Sequence, residues 1–113
     1  MNRVVDVLRS YQFPFGHELQ LQDAVEEALT ENQVEYTREF VLGPGERVDF
    51  MAGGVGIECK VDGSAPSVLA QLLRYAEKDA ITEIVLLTTR STHRFAMTEL
   101  LGKPFHLIRI NGL

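Results

Sequence analysis

The chain has 113 residues, 45% of them hydrophobic and 24% charged, with a formal net charge of −5. That length suits one domain burying roughly two thirds of its unfolded surface around a single core, and the composition excludes a disordered chain. The acidic balance excludes a surface built for standing attachment to nucleic acid, which needs clustered Lys and Arg, and the single cysteine, Cys59, excludes both an internal disulfide and a cysteine-based zinc cage.

Residues 2–11 fit a short amphipathic helix with Val4, Val5 and Leu8 on one side, interrupted by Pro14 and Gly16. The opening MNRVVDVLRSYQF lacks the long apolar centre of a secretory signal. No run approaches the ~20 apolar residues of a membrane span. A cytoplasmic protein with no membrane contact is therefore expected. From His17 to about Asn32 the spacing of Leu21, Ala24, Val25, Ala28 and Leu29 predicts a helix. Glu35 to Leu42 alternates and reads as a strand, closed by the turn GPG at 43–45. RVDFMAGGVGIECKV, residues 47–61, supplies two more strands.

GSAPS at 63–67 gives a loop and a helix start, with Pro66 in the first turn. Leu69, Leu72, Leu73 and Ala76 mark that helix's buried face, ending near Asp79. EIVLLTT at 83–89 is a continuous apolar run, as in a strand covered on both faces. Residues 93–101 predict a further short helix, stopped by Gly102 and Pro104, and FHLIRI at 105–110 a last strand. The result is one domain, 1–113, of α/β class, with a mixed central sheet flanked by helices.

The register of the second hairpin concentrates the chemistry. Gly53 and Gly54 can form a two-residue turn that needs positive φ. Ala52 then faces Val55, Met51 faces Gly56, Phe50 faces Ile57, Asp49 faces Glu58, Val48 faces Cys59 and Arg47 faces Lys60. Strand alternation puts Val48, Phe50, Ile57, Cys59 and Val61 on one face and Arg47, Asp49, Glu58 and Lys60 on the other. Like charges directly opposite destabilise a sheet. A divalent cation between the two carboxylates would reverse the sign, since hard ions take oxygen ligands. Equally, Arg47 and Lys60 could balance two acids on a solvated face.

With Asp49 on the second strand and Glu58-Cys59-Lys60 on the third, the chain resembles the PD-(D/E)XK nuclease superfamily. Its helix, three strands, helix, strand order matches residues 17–89, although Val48-Asp49 stands where that family often has Pro-Asp. Gln71-Leu-Leu-Arg-Tyr75 fits the Q-x-x-x-Y of the RecB-like branch, and positions i and i+4 share one helix face. HELQLQDAVEEAL is similar to the VRR-NUC branch.

The resemblance implies a restriction-endonuclease-like core, αβββαβ, here followed by a C-terminal helix and strand. It implies a metal-dependent nuclease hydrolysing phosphodiester bonds in nucleic acid, DNA being the expected substrate over RNA. Asp49, Glu58 and the Cys59 carbonyl would bind Mg²⁺ or Mn²⁺, with Glu18 completing the shell. Lys60 would position or deprotonate the attacking water, and Gln71 and Tyr75 would support the lysine and the phosphate. His17 is either a further ligand or a polar residue at the helix start.

Arg74, Arg90, His93 and Arg94 are candidate phosphate contacts, or ordinary surface charges. Small size suggests a homo-oligomer, with the N-terminal segment and last strand as contact surfaces. The rival function is a binding or assembly module that keeps the fold without the chemistry.

Overall fold

The computed structural model describes residues 2–110, so Met1 and residues 111–113 of the expected domain lie outside the described range. Helix α1 spans Arg3–Ser10 and starts where the Asn2 side chain accepts the Val5 amide, satisfying a donor that every helix start leaves free. Helix α2 spans Glu18–Glu31. His17 caps it: ring Nδ1 accepts the Gln20 amide, and the Gln20 side chain accepts the His17 amide, a reciprocal box. The helix ends where Gln33 turns left-handed and Val34 returns its amide to the Leu29 carbonyl.

Strands β1 (Thr37–Gly43), β2 (Glu46–Ala52) and β3 (Val55–Lys60) follow, then α3 (Ala65–Ala76), β4 (Glu83–Thr88), β5 (Glu99–Leu100) and β6 (Lys103–Arg109). They form a mixed six-stranded sheet in the order β1-β2-β3-β4-β6-β5. The first three are antiparallel neighbours, β4 and β6 run parallel to β3, and β5 pairs antiparallel with β6. The β3–α3–β4 crossover brings the C-terminal ends of β3 and β4 together, Lys60 beside Thr88.

Helices cover both faces. Val5 and Leu8 of α1 and Leu21, Val25 and Leu29 of α2 pack with Phe50, Ile57, Cys59, Val85, Leu87, Ile108 and Ile110. Val68, Leu72, Tyr75 and Ala76 of α3 pack with Val48, Met51, Ile84, Leu86, Leu100 and Phe105 on the other side. Along β4 the side chains alternate between the two cores, which is why the sequence there is apolar without a break.

The helix expected over 93–101 is absent. That segment is irregular and leads into β5. Tertiary contacts override its weak periodicity: the His93 ring is buried on Thr88 and Gly63, and Phe95 packs edge-on to Phe105. Ala96 and Met97, which a buried helix face would need, are exposed. The surfaces expected to hold subunits together are also used internally: Val5, Leu8, Ile108 and Ile110 are all buried within the chain. No helix among the described residues is long and apolar enough to cross a membrane.

Candidate active site

The β2–β3 hairpin has the expected register at its turn: Ala52 opposite Val55, Met51 opposite Gly56 and Phe50 opposite Ile57. Gly53 uses the left-handed region, with φ +63°. Gly54 does not; it is small because a Cβ there would lie 2.2 Å from Thr82 Oγ1, while its carbonyl accepts the Thr82 amide at 2.8 Å.

The ladder stops one pair short of the acids, and their side chains replace it. The Cys59 amide donates to Asp49 Oδ2 at 2.8 Å, and the Asp49 amide donates to Glu58 Oε1 at 3.3 Å. Each carboxylate thus binds the backbone of the opposite strand.

This crossing changes the faces of β2. Val48 belongs to the α3 core and Phe50 to the α1–α2 core, so the expectation that both share a face is wrong. β1 turns over at the same level. Arg38 lies across the Phe50 ring on the α2 side, Phe40 packs into the α3 core, and Glu39 between them, opposite Asp49 in the register, has φ +55°. Left-handed backbone is strained for a residue with a side chain. Strict alternation fails here because the site residues take ladder positions. Nor does Arg47 sit against Lys60: it is exposed and pairs with Glu39 at 3.5 Å.

The Glu58 side chain is 4% exposed. Burial raises the Glu58 pKa, the Asp49 charge raises it further, and Lys60 Nζ, 3.4 Å from Oε2, opposes both. Burial likewise raises Asp49; the Cys59 amide works against it, and the Glu18 charge adds to it. Two acids are therefore held where ionising both is unfavourable without a cation.

Helix α3 supplies the opposite wall. The Tyr75 hydroxyl donates to the Arg47 carbonyl at 2.8 Å and accepts from Gln71 Nε2 at 2.7 Å. Burial, then the charges of Glu58 and Asp49, hold its phenol far above the ordinary value, so it stays protonated. Arg74 donates to Glu46 at 2.8 Å. A cleft of about 440 Å³ opens between the β1–β2 turn and α3, lined by Asp49, Glu58, Gln71, Arg74 and Tyr75 among others.

Of the remaining candidates, Glu18 lies in the first turn of α2, in contact with Gln22 and near enough to influence Asp49. The His17 ring is committed to its cap. Arg90 pairs with Asp62, and Arg94 donates to the Ser91 carbonyl; neither lines the cleft. His93 is corrected outright. It is fully buried: Nε2 donates to the Gly63 carbonyl and Nδ1 faces the Thr88 hydroxyl, both at 2.7 Å. It ties the loop after β4 to the loop before α3 and cannot reach a phosphate.

The sequence reading missed Glu39, Glu46 and the Arg47 carbonyl. The last has no side-chain signal, and Glu46 meets Arg74 only at a sequence separation of 28.

Among the described residues no group of three or more His, Cys, Asp or Glu side chains is gathered as a metal cage. Asp49 and Glu58 offer two hard carboxylates, each with one oxygen fixed on an amide; the second oxygen of Glu58 faces Lys60 Nζ at 3.4 Å. That donor set fits a hard divalent ion completed by water and substrate oxygens. Comparison of the chain with protein-family models, with curated proteins and with solved structures gives no match.

Proposed function

We propose that the protein is a divalent-metal-dependent nuclease of the PD-(D/E)XK type, hydrolysing phosphodiester bonds in DNA. The observation that carries this reading is the crossed acid pair: Asp49 and Glu58 leave the strand ladder to converge, with Lys60 in contact with Glu58. A fold gains nothing by burying two like charges; a bound cation makes the arrangement favourable.

In this reading Asp49, Glu58 and the Cys59 carbonyl hold Mg²⁺ or Mn²⁺, and Glu18 orients a ligand water. The ion, when bound, supplies Lewis-acid stabilisation of the phosphoryl oxygen and a water of lowered pKa. Lys60, an ammonium paired with Glu58, orients the attacking water through Nζ. Gln71 and Tyr75 brace the Arg47 backbone beside the acids, and Arg74 meets a substrate phosphate once it leaves Glu46.

The test is cleavage of plasmid and single-stranded DNA with Mn²⁺ or Mg²⁺. Asp49→Ala and Glu58→Ala should each abolish cleavage while the far-UV spectrum is kept. Full activity in Glu58→Ala refutes the assignment. Absence of both cleavage and any Mn²⁺-dependent rise in melting temperature favours instead a binding or assembly module.

A further inference from the structure

We infer that the substrate enters as a single strand or an unpaired end, not as an intact duplex; this rests on the nuclease reading above. Depth is the first argument. Glu58 is 3% exposed, so a scissile phosphate must descend between the Gly43–Gly45 turn and α3 to meet it. The cleft's volume of about 440 Å³ lies within the ~300–1,000 Å³ range of small-molecule pockets. It can take one flexible nucleotide. A duplex, stiff over ~150 bp, cannot turn one phosphate inward on its own.

Charge is the second argument. A duplex carries one negative charge per ~1.7 Å of axis. Laid along the 34 Å length of the molecule it would present on the order of 20 phosphate charges. The two arginines at the cleft are already neutralised by acids of the β1–β2 hairpin, Arg47 by Glu39 and Arg74 by Glu46. Among the described residues, no row of unpaired Lys or Arg lines the cleft. A single strand brings few phosphates at a time and can rotate one inward. At the lip, Val41 is 65% exposed and lines the cleft, offering an apolar contact to an unstacked base that no paired base could use.

The experiment compares initial Mn²⁺-dependent rates on a fluorescent single-stranded DNA oligonucleotide, on its blunt duplex and on the duplex with a 3′ or 5′ single-stranded tail. The expected result is at least tenfold faster cutting of the single strand and of the tails. In Glu39→Gln/Glu46→Gln, freeing both arginines should reduce the single-strand preference at least threefold. Equal or faster cutting of the blunt duplex overturns this inference and leaves the nuclease reading intact. No cutting of any substrate, with Asp49→Asn as the control for contaminating activity, overturns both.

Discussion

Replacing Glu58 by Gln should make the metal-free protein more stable, and by an amount that depends on pH. At a separation of about 5 Å, two ionised carboxylates would repel by roughly 3 kcal/mol at an effective dielectric near 20. Burial of Glu58 raises its pKa in the same direction as Asp49 does. Between the ordinary carboxylate range and those raised values, the folded state holds protons that the unfolded chain has released, so wild-type stability must fall as pH rises. Glutamine keeps a carbonyl oxygen for the Asp49 amide and removes the charge. What it gives up is the Lys60 contact at 3.4 Å, on a lysine that still reaches water.

The net gain at pH 8 should be about 2 kcal/mol, or roughly 8 °C in melting temperature for a domain of this size. It should shrink toward zero at pH 5, where wild-type Glu58 carries its own proton. Thermal melts in EDTA at pH 5, 6, 7 and 8 measure this directly. With saturating Mn²⁺ the order should invert at pH 8, because the variant has lost half of the charged donor pair. A variant less stable than wild type at pH 8 in EDTA, or a gain independent of pH, would show that the acids do not repel and that the case for a cation between them is unfounded.

Other perturbations test the frame around the acids. Gly54→Ala should cost about 1–3 kcal/mol in urea melts, because the new methyl would meet Thr82 Oγ1 at 2.2 Å. Tyr75→Phe should cost about 1–2 kcal/mol, since it strips a partly buried carbonyl of its donor, and should lower kcat more than it raises KM if the Arg47 backbone braces the site. His93→Ala should cost about 2–4 kcal/mol by leaving a cavity and unpairing Thr88 and Gly63. An unchanged denaturation midpoint would refute its place as a buried tie. Glu39→Gly should stabilise the protein by roughly 1 kcal/mol by releasing left-handed strain at φ +55°, the lost surface pair to Arg47 being worth little.

What the sequence made legible follows from where local rules dominate. The apolar run at 83–89 and the spacing of Leu21, Val25, Ala28 and Leu29 announced a doubly covered strand and a one-sided helix. In each, the period of the side chains is the period of the packing. The hairpin register could be counted from Gly53 because a two-residue turn leaves no slack. The segment 93–101 could not be read in this way. Its conformation is set by a histidine reaching Gly63, thirty residues earlier in the chain, and no local pattern encodes that contact.

The failure at Val48 is the more instructive one. Counting along an ideal strand put the two acids opposite each other but also put Val48 beside Phe50, and both cannot hold once the carboxylates bind backbone amides. For Asp49 Oδ2 to reach the Cys59 amide, β2 must rotate out of its ladder between Phe50 and Val48. Paired β1 must follow, which places the left-handed residue at Glu39 and sends Phe40 to the α3 side. The strain at Glu39, the parity change at Val48 and the convergence of Asp49 with Glu58 are therefore one event. Sequence alternation can locate such a site only as the point where alternation itself stops explaining the burial.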